Sequence, residues 1–199
     1  MAAIKSKIGI NSSGNSLIEN VSASTIWVSD AVDVSRIEEG ILDILFGRTA
    51  TTAAGAGVIY IPQYSPDASG NNWRDLHPGL VTQFAACESE AVTGTVAAGA
   101  TAITMSSTTN LTAGEWIYIK NGTLDNSEWR RIKSVSASVS VTVTDPIDNA
   151  QTSSTVYDLA ENFTLWVNLR GIRRLRVVAD GSSFTQAFDH LINLIYRQK

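Results

Sequence analysis

The stretch SVSASVSVTVTDP, residues 134–146, constrains the fold more than any other part of the chain. Val135, Val139, Val141 and Val143 share one parity, and Ser136, Ser138, Ser140, Thr142 and Thr144 the other. A pleated strand sends successive side chains to opposite faces, so the run reads as one strand with an apolar face and a hydroxyl-covered face. Asp145-Pro146 ends it, because proline has no N–H to give to a ladder. Nothing in it can do chemistry before Asp145. It is built for surface and shape.

The same period recurs on both sides. Ser24 to Val34 (STIWVSDAVDV) alternates, Val58 to Gln63 (VIYIPQ) reads as a strand, and Leu80 to Ala86 (LVTQFAA) as another. SRIEEG could open a short helix capped by Ser35, with Glu38 or Glu39 as its partner, but Gly40 and Gly47 bracket a run of strand length from Ile41. SPDASGNNWRDLHPG is a long loop dense in turn formers. Between Glu90 and Tyr157 the strands become shorter and the turns closer. There Asn121-Gly122 and Asp125-Asn126 separate Glu115–Lys120 from Glu128–Lys133, a hairpin that Trp116 and Trp129 would stiffen. In the tail, Phe188, Leu191, Ile192 and Ile195 fit a helix face, while Phe188, His190, Ile192, Leu194 and Tyr196 fit a strand face. We favour the strand for 184–197.

These patterns predict a mainly β protein: an antiparallel β-sandwich, jelly-roll or immunoglobulin-like, with an inserted small β-barrel or β-sandwich subdomain. The expected divisions are a flexible N-terminal arm (1–20), an outer sandwich (21–89 with 158–199) and the insertion (90–157).

Charged residues make up only 17% of the 199, below the roughly 25% usual for soluble domains. The net charge of −4 argues against a general nucleic-acid binder, which would be basic. A single cysteine, Cys87, cannot form an intramolecular disulfide, and no run of about 18 apolar residues suggests a membrane span. MAAIKSKIGINSSGNSL lacks an apolar run of signal-peptide length, so synthesis in a reducing cytoplasm is expected.

Chemistry is sparse. His77 and His190 have no second histidine at metal-ligand spacing, so neither a metal nor a cofactor is expected. Asp189-His190 with Ser182 or Ser183 does not make a triad, because neighbours on a strand face opposite ways and no nucleophile elbow is present. Gly55-Ala56-Gly57 precedes a strand rather than a helix, so it cannot cradle phosphate. Cys87 has no basic neighbour in sequence and reads as a buried thiol. No catalytic residue is expected and the chain reads as a non-enzyme. The one marked charge feature is RGIRRLR, Arg170 to Arg176. On a strand Arg174 and Arg176 share a face, and Arg173 points with Leu175 to the other. Arg130 and Arg131 with Lys133 form a second basic group. Arg170, Arg173, Arg174, Arg176, Arg130 and Arg131 are the candidate protein-interface residues, balanced against an ordinary solvated face.

Residues 91–158 resemble a β module of tailed-bacteriophage virion proteins. The likeness rests on Gly99-Ala100-Thr101, on Gly114-Glu115-Trp116-Ile117, on Glu128 to Val135 (EWRRIKSV) and on Val139 to Thr144. The flanks TIWVSDAVDVS and LRGIRRLRVVADGSS resemble small phage structural proteins, among them capsid cement, or decoration, proteins. The resemblance implies a virion structural protein, first a cement protein that stabilises the shell by binding the major capsid protein. It would sit on the capsid surface after synthesis in the host bacterial cytoplasm, as a homo-oligomer with a trimer favoured, without specific nucleic acid or membrane. The other readings are a tail or neck component, or a carbohydrate-binding β module that stacks exposed Trp and Tyr on sugars.

Overall fold

The computed structural model describes the backbone of residues 4–8 and 18–198 and the side chains of residues 18–196. In chain order the first strands are β1 (Ile4–Ile8), β2 (Glu19–Val21), β3 (Ile26–Val28), β4 (Val32–Asp33), β5 (Ile37–Arg48) and β6 (Ile59–Ser65). Then come β7 (Arg74–Asp75), β8 (Leu80–Val81), β9 (Ser89–Ala91), β10 (Thr95–Val96), β11 (Ala102–Thr104) and β12 (Trp116–Lys120). The remainder are β13 (Glu128–Ser136), β14 (Ser140–Val143), β15 (Gln151–Thr152), β16 (Thr155–Asn168), β17 (Arg174–Asp180) and β18 (Phe188–Gln198). A 3₁₀ turn, Leu124–Asn126, is the one helical element among the described residues.

The chain is mainly β, and its antiparallel sheets form a sandwich. A ten-stranded sheet runs β1-β18-β5-β16-β12-β13-β14-β11, with β2 beside β18 and β9 beside β16. A six-stranded sheet runs β3-β17-β6-β7, with β4 on β17 and β8 on β6. Alternation in β5 puts Leu42, Ile44 and Phe46 inside, and β17 answers with Leu175, Val177 and Ala179. With Tyr60, Phe184, Phe188, Ile192 and Leu194 they fill the space between the sheets. A second core is built wholly from residues 92–156, including Ile103, Ile117, Ile119, Ile132, Val141 and Val156. The strand common to both regions is β16. Its first turns pair with β9 and β12, and Glu161–Asn168 pairs with β5. Between them Leu159 holds φ at +51°, a left-handed conformation costly for a branched side chain, where the ladder with β12 slips register.

Several local expectations change. The 134–144 run is not one strand but the end of β13, a turn at 137–139 and β14. Ser138 turns the chain with φ +58°, and Val135 pairs with Val141 across the hairpin. The pair is six positions apart, an even number, so parity survives the turn, which is why a hairpin imitates a continuous strand. SRIEEG starts no helix: Ile37 already belongs to β5, buried against the sandwich core. Only Leu80–Val81 of the 80–86 segment is strand. The tail is strand, with Phe188, Ile192 and Leu194 facing the core. The arm expected at 1–20 lies largely outside the described residues; within it, the backbone of Ile4–Ile8 pairs with β18, and Glu19 and Asn20 belong to β2.

Candidate functional site

The candidate arginines do not form one patch. Arg173 stands in the turn before β17, is exposed, and its guanidinium has no partner among the described residues. It therefore does not share a face with Leu175, which is fully buried; starting the strand one residue later removes Arg173 from the alternation. Arg174 and Arg176 do share the outer face of the six-stranded sheet. Arg174 Nε donates to the Ala68 carbonyl at 3.2 Å, and Arg176 Nε to Gln63 Oε1 at 2.9 Å. The Arg176 guanidinium also sits 4.1 Å from the Trp73 ring centroid, a cation–π contact. Both arginines thus hold down the 66–73 loop. Asp67 organises that loop, accepting hydrogen bonds from Ser69 Oγ, the Gly70 and Asn71 amides and Asn72 Nδ2. Those donors hold its carboxyl down at about 2. Gly70 has φ +70°, and a Cβ there would lie 3.3 Å from the Trp73 ring, so the turn requires glycine. Arg170 is exposed and reaches Glu38 at 3.5 Å.

The second group is spent inside the insertion. Arg130 pairs with Glu128 at 2.5 Å and Asp148 at 3.0 Å, and donates to the Pro146 carbonyl. Arg131 Nε donates to the Gly114 carbonyl at 2.8 Å, on an exposed edge.

Beside Arg174 and Arg176, the outer face of the six-stranded sheet becomes apolar. Cross-strand register lines up Val28, Val178 and Ile61 in one row, and Ile26, Asp180, Ile59 and Val81 in another. Ile26, Val28 and Val81 are 56%, 46% and 56% exposed, so this face is wet and greasy at once. Scattered exposed aliphatics need no explanation, but adjoining rows on one sheet face mark an interaction surface.

A different site lies within the ten-stranded sheet, where β12 and β13 of the insertion come against β18 and β5. Tyr118 stacks on Trp129 at 4.6 Å and donates its hydroxyl to the fully buried Asp189 at 2.5 Å. Asn20 Nδ2 donates to the same carboxylate at 2.5 Å, and Lys120 Nζ lies 3.4 Å away. Burial, with the Asp189 charge second, pushes the Tyr118 hydroxyl up, so it stays a donor. Next to this hub a cleft of about 300 Å³ opens between the outer face of β5 and β18 and the Ser127–Arg130 segment that leads into β13 of the same sheet. Its floor is two paired rows, Asp43 with Asn193 and Leu45 with Leu191. Its wall is Asp125, the Ser127–Arg130 segment, Asp148 and Asn149. Asn193 is 1% exposed, yet among the described residues neither its Nδ2 nor its Oδ1 has a hydrogen-bond partner, and Trp129 Nε1 likewise has none there. An unpaired buried polar group costs about 1–3 kcal/mol, so three at one place need a reason.

Sequence reasoning missed this cleft. Asn193 is a lone polar residue in an apolar run, and only the return of residues 125–130 onto β18 gives it a setting. Asp189 and His190 point to opposite sides of β18, as alternation requires. His190 is buried between Trp27, at 4.3 Å ring to ring, and Tyr60, whose hydroxyl lies 3.2 Å from Nδ1. Burial drives its pKa down to about 3. The buried Cys87 thiol lies 3.2 Å from the Ala50 carbonyl, and burial pushes its pKa up. Among the described residues no group of three His, Cys, Asp or Glu is placed to hold a metal ion.

Neither a family model nor a curated protein matches the chain. Similar solved structures include infectious bursal disease virus of the Gt strain, at 7% identity and a TM-score of 0.26, covering 99% of this chain and 42% of that one. The Gx strain of the same virus gives 8% identity and a TM-score of 0.26, covering 100% and 41%. This chain therefore spans about two fifths of the length of those chains, and likeness at that level decides neither fold nor function.

Proposed function

We propose that the chain is a non-enzymatic virion structural protein: a cement protein that binds the outer surface of a tailed-phage capsid and ties neighbouring major-capsid subunits together. The observation that carries this reading is the outer face of the six-stranded sheet, with exposed Ile26, Val28 and Val81 in adjoining rows and Arg176 and Arg174 in the next rows along β17. An apolar centre with an arginine rim is the anatomy of a protein interface. The resemblance of residues 91–158 to phage virion modules names the kind of partner. A filled shell is strained outward by packaged DNA, so a protein gripping several subunits adds free energy that must be lost before they separate. As an oligomer, a trimer first, it would gain further through effective concentration.

The test is the particle. A cryo-EM map should show density for the chain on the capsid at a copy number comparable to the major capsid protein. Particles depleted of it should rupture at lower temperature or after milder osmotic shock, and added protein should restore them. Depleted particles of equal robustness, or density confined to a ring at the neck or to the tail, would replace the cement role with a connector or tail role.

A further inference from the structure

We propose that Lys120, Asn20 and Asp189 form a self-catalysed cross-linking site, in which the Lys120 amine displaces ammonia from the Asn20 carboxamide and joins the two side chains by an isopeptide bond. The three groups already meet. Asn20 of β2 and Asp189 of β18 are cross-strand partners. Asn20 Nδ2 donates to Asp189 Oδ1 at 2.5 Å, and Lys120 Nζ lies 3.4 Å from Asp189 Oδ2. One carboxylate therefore touches the attacking nitrogen with one oxygen and the departing nitrogen with the other. That is the placement a proton shuttle needs. The surroundings are built to hold it. Tyr118 and Lys120 share a face of β12, two residues apart, and the Tyr118 hydroxyl donates to the same Oδ2 at 2.5 Å. The Tyr118 ring lies against Gly47, the β5 partner of Asp189, where a Cβ would come within 2.5 Å of Tyr118 Cγ. Glycine there leaves room for the ring beside the carboxylate, and Trp129 stacks on that ring.

Asp189 is fully buried, and an ion pair in so dry a place gains little over its neutral form. Asp189 Oδ2 takes one proton from the Lys120 ammonium. The freed lone pair forms the Nζ–Cγ bond with Asn20 as the carbonyl π pair moves onto its Oδ1. Asp189 then hands its proton from Oδ1 to Nδ2 and takes a second from Nζ. The carbonyl re-forms, the Cγ–Nδ2 bond breaks with its electron pair on nitrogen, and ammonia departs with the second proton as ammonium. Lys120 keeps its last hydrogen as the N–H of the new amide, and Asp189 is again a carboxylate. No oxidant, reductant or cofactor is needed. Asn20 is exposed and Lys120 partly so, which gives the ammonium a way out. The bond would close a loop from residue 20 to residue 120. It would constrain the unfolded chain as a disulfide does, in a chain whose single buried cysteine can make none within itself. The step is a single turnover on the chain itself, so it neither needs nor contradicts the capsid reading.

Intact-mass spectrometry of the full-length protein tests this. Chain recovered from inclusion bodies and kept in urea should show its full mass, and after refolding it should be lighter by one ammonia. Loss on refolding of the pure chain separates self-catalysis from an enzyme of the expression host. A digest of the refolded protein should contain a branched peptide joining Asn20 to Lys120. Lys120→Arg keeps the charge without the amine, and Asn20→Ser removes the carboxamide from an exposed residue. Both should refold at full mass and melt below the cross-linked wild type. Asp189→Asn keeps the size but cannot shuttle a proton, so it too should keep its full mass. Three results each overturn the proposal: full mass in the refolded wild type, loss of one water with a Lys120–Asp189 link, or loss of ammonia that persists in Lys120→Arg. If Asp189→Asn does not fold, the wild-type mass and Lys120→Arg still decide.

Discussion

His190 and Asp189 are adjacent in sequence and both buried, but they face opposite sides of β18. His190 sits neutral between the sheets, its folded pKa about 3 against an ordinary 6.5, with desolvation as the cause. Below pH 6.5 the unfolded chain takes up a proton that the native state refuses, so stability falls as pH drops towards 3. The limiting slope is about 1.4 kcal/mol per pH unit. His190→Asn should flatten this dependence, whatever its absolute stability, and thermal melts across the acid range would show it; an unchanged slope would place the acid sensitivity elsewhere. Asp189 is also fully buried, yet charge-matched by Lys120 and hydrogen-bonded by Tyr118 and Asn20. Tyr118→Phe removes a hydrogen bond to a charged group without emptying its space. It should cost about 1.5–3 kcal/mol in denaturant unfolding, whereas a cost near zero would mean that Asn20 and Lys120 suffice.

At the scale of elements, the sequence was most legible where one strand face meets the core. β6 and β17 carry alternation strong enough to read directly, β18 fits a helix face as well as a strand face and was favoured as strand, and the hairpin of β12 with β13 announced itself by its turn residues. Two features resisted for physical reasons. The turn at 137–139 was hidden because Ala and Ser fit strand or turn alike and the hairpin preserves parity. Arg173 was assigned to the wrong face because a shift of one residue in a strand's start reverses the inference. The cleft was harder still: Asn193 and Trp129 are 64 positions apart, and no local pattern reports a long-range docking. The insertion makes its own prediction. Its core residues all lie between Val92 and Val156, so the excised 90–158 segment should give a β-type circular dichroism spectrum and a cooperative melt. That segment keeps the β9 and β12 pairings of β16 up to Tyr157 but loses Trp116's partner Ala160 and the cover over Tyr118 and Trp129. It should therefore melt below the full chain; a random-coil spectrum would show that the sandwich is needed to hold the insertion together.

For the whole molecule, the two sheets offer two unlike outer faces, and the docking proposal depends on that asymmetry. The six-stranded sheet presents Ile26, Val28 and Val81 to solvent beside Arg174 and Arg176, while the ten-stranded sheet continues into the insertion through β12, β13, β14 and β11. If the former face meets a capsid, its apolar rows and its arginine rim contribute by different physics and can be separated. Apolar burial is nearly indifferent to salt, whereas rim charges are screened over about 8 Å at physiological ionic strength. Arg173, exposed in the turn that leads into β17, is the informative arginine, because Arg174 and Arg176 also hold the 66–73 loop and their loss would disturb it. Arg173→Glu should weaken re-binding to depleted particles at low salt, by about tenfold, and converge on wild type as salt rises. Val28→Asp should weaken it at every salt concentration, since it buries a charge against the partner. Both variants should keep the wild-type circular dichroism spectrum, because both side chains face solvent in the free protein. Measuring re-binding across a salt series, with both variants in parallel, therefore tests the face and not merely the fold. If neither substitution changes re-binding, the sheet's outer face is not the contact, and the arginine-bordered rows are surface without a partner on the capsid.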